Sequence, residues 1–223
     1  MTFSNALAPS GVTMENPPLS SQKFQSPGRY AFYSRQGEPL EMTITTGVLE
    51  AFRGRPAAQY TITDAAGKVI ADGRLALDGE QHPLKIPVPA AGPYWMVYKD
   101  SGSGWQIDVP AGRPASLALS LDYTPNSLGG RMPRMYFFVP KGTKQVQYFC
   151  KGILYDVNGP DGKKLKTVSE SGKYITVDVP AGADGKVWSF NNLAIGDLYF
   201  CNIPNYIAVS PDALLVPREV LGK

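Results

Sequence analysis

The chain has 223 residues, 43% hydrophobic and 18% charged, which is too apolar for a disordered polypeptide and long enough for one large domain or two of roughly 100 residues. Its net charge of +3 comes from interspersed signs, which argues against a nucleic-acid surface; the densest basic cluster, Lys163, Lys164 and Lys166, reads as a strand edge kept soluble by lysine. No apolar run reaches the roughly 18 residues of a membrane-spanning helix.

The first 25 residues, MTFSNALAPSGVTMENPPLSSQKFQ, lack the charged start and long apolar stretch of a signal peptide and read as a polar linker. AFYSRQGEPLEMTITTG (31–47) is an apolar run, a tight turn and a second run, the outline of a β-hairpin; Leu40, Met42 and Ile44 share one face. QYTITD places Tyr60 and Ile62 on one face, and DAAGK (64–68) is a turn. GEQHPL puts His82, the sole histidine, in a loop beside Pro83. IPVPAAGPYWMVY (86–98) holds a strand with Tyr94, Met96 and Tyr98 on one face and Trp95 and Val97 on the other. Trp105 follows the glycine-rich turn SGSG, where exposure is expected. YTPNSLGGRMPR (123–134) has linker composition.

Beyond it the outline returns. YFFVPKGTKQVQYFCKG (136–152) matches residues 31–47, with Phe32, Gly37 and Gly47 each 105 positions before Phe137, Gly142 and Gly152. GPDGK (159–163) echoes DAAGK, and VDVPAGADGKVWSF (177–190) echoes IPVPAAGPYWMVY, matching Trp188 with Trp95 as core residues. In KYITVDVP, Tyr174, Thr176 and Asp178 lie on one side and Ile175, Val177 and Val179 on the other. SPDALLVPREV is read as a single helical turn capped by Ser210 and stopped by Pro217. A lone hairpin cannot bury its apolar face, so each copy needs a second sheet. The expected fold is therefore all-β, two tandem antiparallel β-sandwiches of jelly-roll or immunoglobulin-like type. The boundaries read 1–25 linker, 26–124 first sandwich, 125–131 linker, and 132–218 second sandwich with an apolar tail that packs along it or between the two.

Catalytic chemistry is not expected. There is no G-x-S-x-G elbow, no paired carboxylates in an apolar setting, and no glycine-rich loop leading into a helix. Two cysteines and one histidine cannot make a zinc site, and the Asp-Gly turns lack a ladder of calcium ligands, so no metal or cofactor is expected. Cys150 and Cys201 both sit in apolar runs. They are either two buried free thiols, favoured because the first repeat has no cysteine, or a disulfide of an exported protein. The remaining signal is aromatic. Trp105, without a Trp counterpart in the second half, is the first candidate to bind a sugar face, followed by Trp95 and Tyr98.

YFFVPKGTKQVQYF, VNGPDGKK, VDVPAGADGKVWSF and NIPNYIAVSPDALLVPRE together resemble β-sandwich accessory modules of large secreted bacterial proteins that act on polysaccharides, similar to carbohydrate-binding modules or pre-peptidase C-terminal-like domains. The resemblance implies secretion or a cell-surface location, no catalytic residues, and one of two roles. One is glycan binding beside a neighbouring catalytic domain. The other is a structural or protein–protein module that spaces a larger assembly.

Overall fold

The computed structural model describes residues 3–16, 20–25, 27–123, 126–128, 130–152, 154–194 and 196–222. The first part of the chain supplies β1 (Leu7–Pro9), β2 (Ser20–Phe24), β3 (Gly28–Ser34), β4 (Leu40–Thr45), β5 (Ala58–Thr63), β6 (Val69–Leu75), β7 (Gln81–Ile86), β8 (Gly92–Lys99), β9 (Trp105–Val109) and β10 (Ala115–Ala118). The second part supplies β11 (Met132–Val139), β12 (Gln145–Cys150), β13 (Tyr155–Asn158), β14 (Lys164–Val168), β15 (Lys173–Asp178), β16 (Lys186–Leu193) and β17 (Tyr199–Phe200). The tail adds β18 (Tyr206–Ile207) and β19 (Leu215–Pro217).

Every pairing is antiparallel, and the strands form two sandwiches with one wiring. The first packs β3-β8-β5-β6 on β9-β4-β7; the second packs β11-β16-β13-β14 on β17-β12-β15. Element for element these orders are the same, so the internal repeat is a repeat of topology. The alternation read from sequence holds in β4, where Leu40, Met42 and Ile44 are buried, and in β15, where Ile175 and Val177 are. β14 is an edge strand, and its lysines are placed as expected: Lys166 donates to the Thr176 carbonyl at 2.9 Å, and Lys164 lies 3.8 Å from Asp156.

The two matched segments are not hairpins. β3 bonds to β8 and β10, whereas β4 bonds to β7 and β9 in the opposite sheet. Each segment is an arch that crosses between layers, turning at Gly37 (φ 77°) or Gly142 (φ 83°), where a residue with a Cβ is strained. The two strands of an arch bury their apolar sides against each other across the sandwich rather than edge to edge. The second arch is one residue longer, so inward residues run 40, 42, 44 in β4 but 146, 148, 150 in β12. Ile44 therefore stands where Cys150 does.

A one-residue difference also separates the tryptophans. Phe32 pairs with Tyr94, and its counterpart Phe137 pairs with Trp188. Trp188 is thus the equivalent of Tyr94. Both side chains donate to a carbonyl of the preceding turn, Tyr94 to Ala90 at 2.7 Å and Trp188 to Ala183 at 2.9 Å. Trp95 is one residue out of step and points to the other face of its sheet, correcting the match made from sequence.

The amino-terminal segment is not only a linker. β1 pairs with β19, and β2 extends the β9 edge of the first sandwich, with Phe24 and Gln22 buried. Main-chain bonding recruits these residues despite their polar composition. Positions 1, 2 and 17–19 of that segment, and 124, 125 and 129 of the expected inter-domain linker, lie outside the described residues. At the other end, the single turn expected after Ser210 forms at 211–213, closed by the Leu214 N–H to the Pro211 carbonyl at 3.3 Å; a strand at 215–217 follows it and then a 3₁₀ turn at Arg218–Val220, so the turn ends before Pro217.

The tail joins the sandwiches. β18 pairs with β10 of the first, while Ala208 exchanges two backbone bonds with Tyr136 of β11 in the second, at 2.7 and 3.0 Å. Leu7, Trp95, Ala118, Phe138, Leu214 and Val216 form a buried cluster at this junction.

The first arch carries a pH-sensitive lock. The Glu38 carboxylate accepts the backbone N–H of Gln36 at 2.7 Å and of Arg35 at 3.1 Å and the Ser34 hydroxyl at 3.0 Å, and pairs with Arg113 at 2.7 Å. The Gln36 N–H contributes most to pulling its pKa from 4.5 to about 2. Because the folded value is the lower one, the stabilisation is complete above pH 4.5 and is lost as pH falls towards 2. Glu38→Gln is expected to cost about 1–2 kcal/mol at neutral pH. The variant's stability, measured by urea unfolding, should converge on that of the parent in acid; a constant gap down to the acid limit overturns the assignment.

Candidate functional site

None of the three aromatic residues singled out from sequence faces solvent. Trp105 is fully buried as the first inward residue of β9, with Tyr98 at 4.4 Å and Phe24 at 5.3 Å between ring centroids. The glycine-rich turn before it folds inward, held by Leu49 N–H to the Ser103 carbonyl (2.8 Å) and Val48 N–H to the Gly104 carbonyl (3.1 Å). Tyr98 is buried in the same core, where desolvation pushes its pKa up. Trp95, 3% exposed, lies in the junction cluster with the Arg29 guanidinium 5.8 Å from its ring centroid. In an isolated sandwich its face of the sheet would be open; here β1 and β19, with Tyr206 of β18 and Phe138 of the second sandwich, cover it.

His82 is on edge strand β7 opposite Ile44, not in a loop, and Pro83 beside it is tolerated because an edge strand needs no N–H there. Its Nε2 lies 3.1 Å from Asp78 Oδ1 and 3.3 Å from Thr46 Oγ1. A hydroxyl–imidazole–carboxylate relay needs the two partners on opposite ring nitrogens. Here both meet the same one, and the buried Thr46 hydroxyl already donates to the Ala76 carbonyl. This is a turn lock, not a catalytic relay. Among the described residues no group of three or more His, Cys, Asp or Glu is placed to hold a metal, and no helix is long and apolar enough to cross a membrane.

The exposed aromatic surface lies on the outer face of β15-β12-β17. Phe149 pairs across the sheet with Tyr174 on one side and Tyr199 on the other, so the three residues stand in one row perpendicular to the strands, and their rings close into a cluster with centroids 5.3, 5.4 and 6.4 Å apart. Tyr174 is 71% exposed, and the other two are half-buried. Phe149 and Tyr199 stack at 5.4 Å with 22° between planes, and the Tyr174 and Tyr199 hydroxyls are 2.9 Å apart. The bond from Tyr174 is the main reason Tyr199 is pushed up to about 12, so the Tyr199 phenol is a neutral donor and acceptor at neutral pH.

The next row along the strands is polar. Gln147 pairs with Thr176, both exposed, and Asn202 ties off β12 by accepting the Gln147 N–H (2.9 Å) and donating to the Gln145 carbonyl (2.7 Å). A groove lined by Gln145, Gln147, Asn202, Lys141 and Lys144 continues from this row. The equivalent face of the first sandwich carries Glu41, Thr43, Thr45, Gln81 and Lys85, with no aromatic ring among them.

Cys150 and Cys201 are both free. Cys150 is buried on the inner face of β12, accepting the Gly152 N–H at 3.1 Å, and desolvation raises its pKa. Cys201 is exposed on the outer side beside Gln147, which corrects the expectation of two buried thiols. In the native protein one equivalent of a thiol reagent should react, at Cys201, and the second only on unfolding. Two fast equivalents, or none, overturn this placement.

The signal for the aromatic row was present in KYITVDVP, whose Tyr174 falls on the polar side. A large ring among outward polar residues is the anomaly that marks it.

No family model matches the chain, and no curated protein matches it. Among solved structures it is similar to the M60 catalytic domain with the CBM51-1 and CBM51-2 domains from Clostridium perfringens ZmpB, at 8% identity and a TM-score of 0.30, covering 97% of this chain and 38% of that one. It is also similar to the tandem CBM51 modules of Sp3GH98, the family 98 glycoside hydrolase from Streptococcus pneumoniae SP3-BS71, at 9% identity and a TM-score of 0.29, covering 88% of this chain and 83% of that one. At such identities and scores neither likeness bears on ligand or activity.

Proposed function

We propose that the chain is a non-catalytic glycan-binding accessory module, acting beside a catalytic domain or partner in a secreted or cell-surface carbohydrate-active system. The observation that carries this reading is the exposed Tyr174–Phe149–Tyr199 row bordered by the amide and hydroxyl of Gln147 and Thr176. Sugar rings have apolar faces suited to aromatic surfaces and hydroxyls suited to amides, so the two adjoining rows supply both halves of such recognition. An open sheet face with aromatic rings, amides and hydroxyls offers no acid–base pair for bond breaking. Affinity electrophoresis in polysaccharide-containing gels tests the reading. Retardation is expected, with Tyr174→Ala and Phe149→Ala each weakening it roughly tenfold, about 1.4 kcal/mol. Tyr174 is exposed, so its replacement leaves folding intact, and unchanged circular dichroism controls for this.

The second reading, a structural or protein–protein spacer, is favoured by the buried junction around Trp95, Leu214 and Phe138, which makes the two sandwiches one body. Absence of retardation in every polysaccharide supports it.

A further inference from the structure

The charges around the aromatic row bear on which glycans it takes. On one flank Lys151 is ion-paired with Asp197, and at the β15 end Lys173 pairs with Glu170 at 2.6 Å. On the other flank Gln147 and Thr176 are uncharged; beyond them Gln145 donates its amide to Asp178 at 2.8 Å. Further along the groove, Lys141 and Lys144 face Asp184, whose carboxyl is held below its usual value first by the Gly142 N–H and then by these lysines. Glu219 lines the same groove and accepts from Ser4. The two cations flanking the aromatic rings, Lys151 and Lys173, thus each have an anion beside them, while Lys166 on the polar row is committed to the Thr176 carbonyl at 2.9 Å. By contrast, the side chains of Gln147 and Thr176 are exposed and make no hydrogen bond within the described residues.

We propose that the ligand is an uncharged polysaccharide segment, one sugar face on the aromatic rings and the hydroxyls of the next sugar on Gln147 and Thr176; this rests on the glycan-binding reading above. The dimensions suit a chain. The three ring centroids lie within 6.4 Å of one another, room for one sugar face, and the polar row lies about 7 Å to the side, two residues along each strand, where the next sugar falls. A uronate or sulfate on the aromatic rings would have to displace Asp197 or Glu170 from its lysine, exchanging one ion pair for another and gaining nothing net. A neutral hydroxyl needs only the amide and hydroxyl that lie free. Such binding involves little ion release, so salt should not weaken it.

The test is affinity electrophoresis of the whole chain in gels of neutral polysaccharides (glucomannan, xyloglucan, mixed-linkage glucan) and acidic ones (polygalacturonate, alginate, dextran sulfate), paired with pull-down at low and high sodium chloride. Retardation by a neutral polymer is expected, unchanged by salt. Gln147→Ala should weaken it about 3- to 10-fold, the worth of one hydrogen bond, while Thr43→Ala on the matching face of the first sandwich leaves it unchanged. An acidic polymer bound as tightly, and released by salt, overturns this inference but leaves glycan binding standing. Neutral binding insensitive to both Gln147→Ala and Thr176→Ala overturns the polar row's role. Failure of every polymer to retard the chain overturns the glycan-binding reading itself.

Discussion

Trp105→Ala is expected to remove about 3–5 kcal/mol of folding stability, the usual cost of emptying a buried tryptophan site. Its ring is fully buried among Tyr98, Phe24 and Tyr30, the last at 6.1 Å, and so joins β9 to β8, β2 and β3 across both sheets of the first sandwich. The packing is tight enough that a Cβ built on Gly28 would lie 2.5 Å from the indole. No neighbour can collapse into the space without moving a strand. Urea unfolding checks this, with Trp105→Phe as the milder variant that keeps an aromatic ring. A loss within about 0.5 kcal/mol, the range of surface substitutions, would falsify the placement and return Trp105 to the list of ligand contacts. Retained affinity of the folded variant for a glycan is equally expected, since the aromatic row lies on the other sandwich.

Leu214→Ala is expected to turn one unfolding transition into two. Leu214 is fully buried in the junction cluster, where its carbonyl accepts the Ser10 N–H at 2.8 Å, and the neighbouring Leu215 N–H donates to Ser116 of β10 at 2.8 Å. The junction therefore ties the amino terminus, the tail and both sandwiches together. Removing the leucine side chain costs about 2–5 kcal/mol, and that loss falls on the contact between units rather than within either core. Each sandwich keeps its own sheets, so each should then melt on its own, seen as a second calorimetric peak. A single peak with an unchanged midpoint counts against the tail as the coupling element. The same experiment bears on function, because a rigid pair holds the aromatic face at a fixed position relative to any neighbouring domain.

The alternating strands around Leu40, Ile62 and Ile175 were legible because burial on one face imposes a period of two wherever a strand lies. The turns at DAAGK and GPDGK were legible because Asp64 and Gly67 bond locally, Asp64 accepting the Ala66 and Lys68 N–H groups at 2.9 Å each. The repeat was visible for the same reason, since two copies of one wiring need the same order of strands and glycines. The candidate site was much less legible. Its three rings come from β12, β15 and β17, brought into one row by pairing register, which no local pattern encodes.

By itself, then, the sequence determined the fold class, the duplication and the scarcity of helix, because these follow from local periodicity and turn chemistry. Tertiary structure decided which faces are covered. Trp95 and Trp188 are both buried, but one closes a junction and the other fills a core, because a single residue's slip reverses the face of a strand. Whether the arches paired with themselves or crossed between layers, and whether the polar amino terminus joined a sheet, depended on unpaired backbone groups left by distant strands. Cys150 and Cys201 looked alike in their apolar runs and part company because the sheet has an inside and an outside. The aromatic surface that remains open does so because, among the described residues, no strand, loop or tail is seated over the outer face of β15-β12-β17 as β1 and β19 are over Trp95.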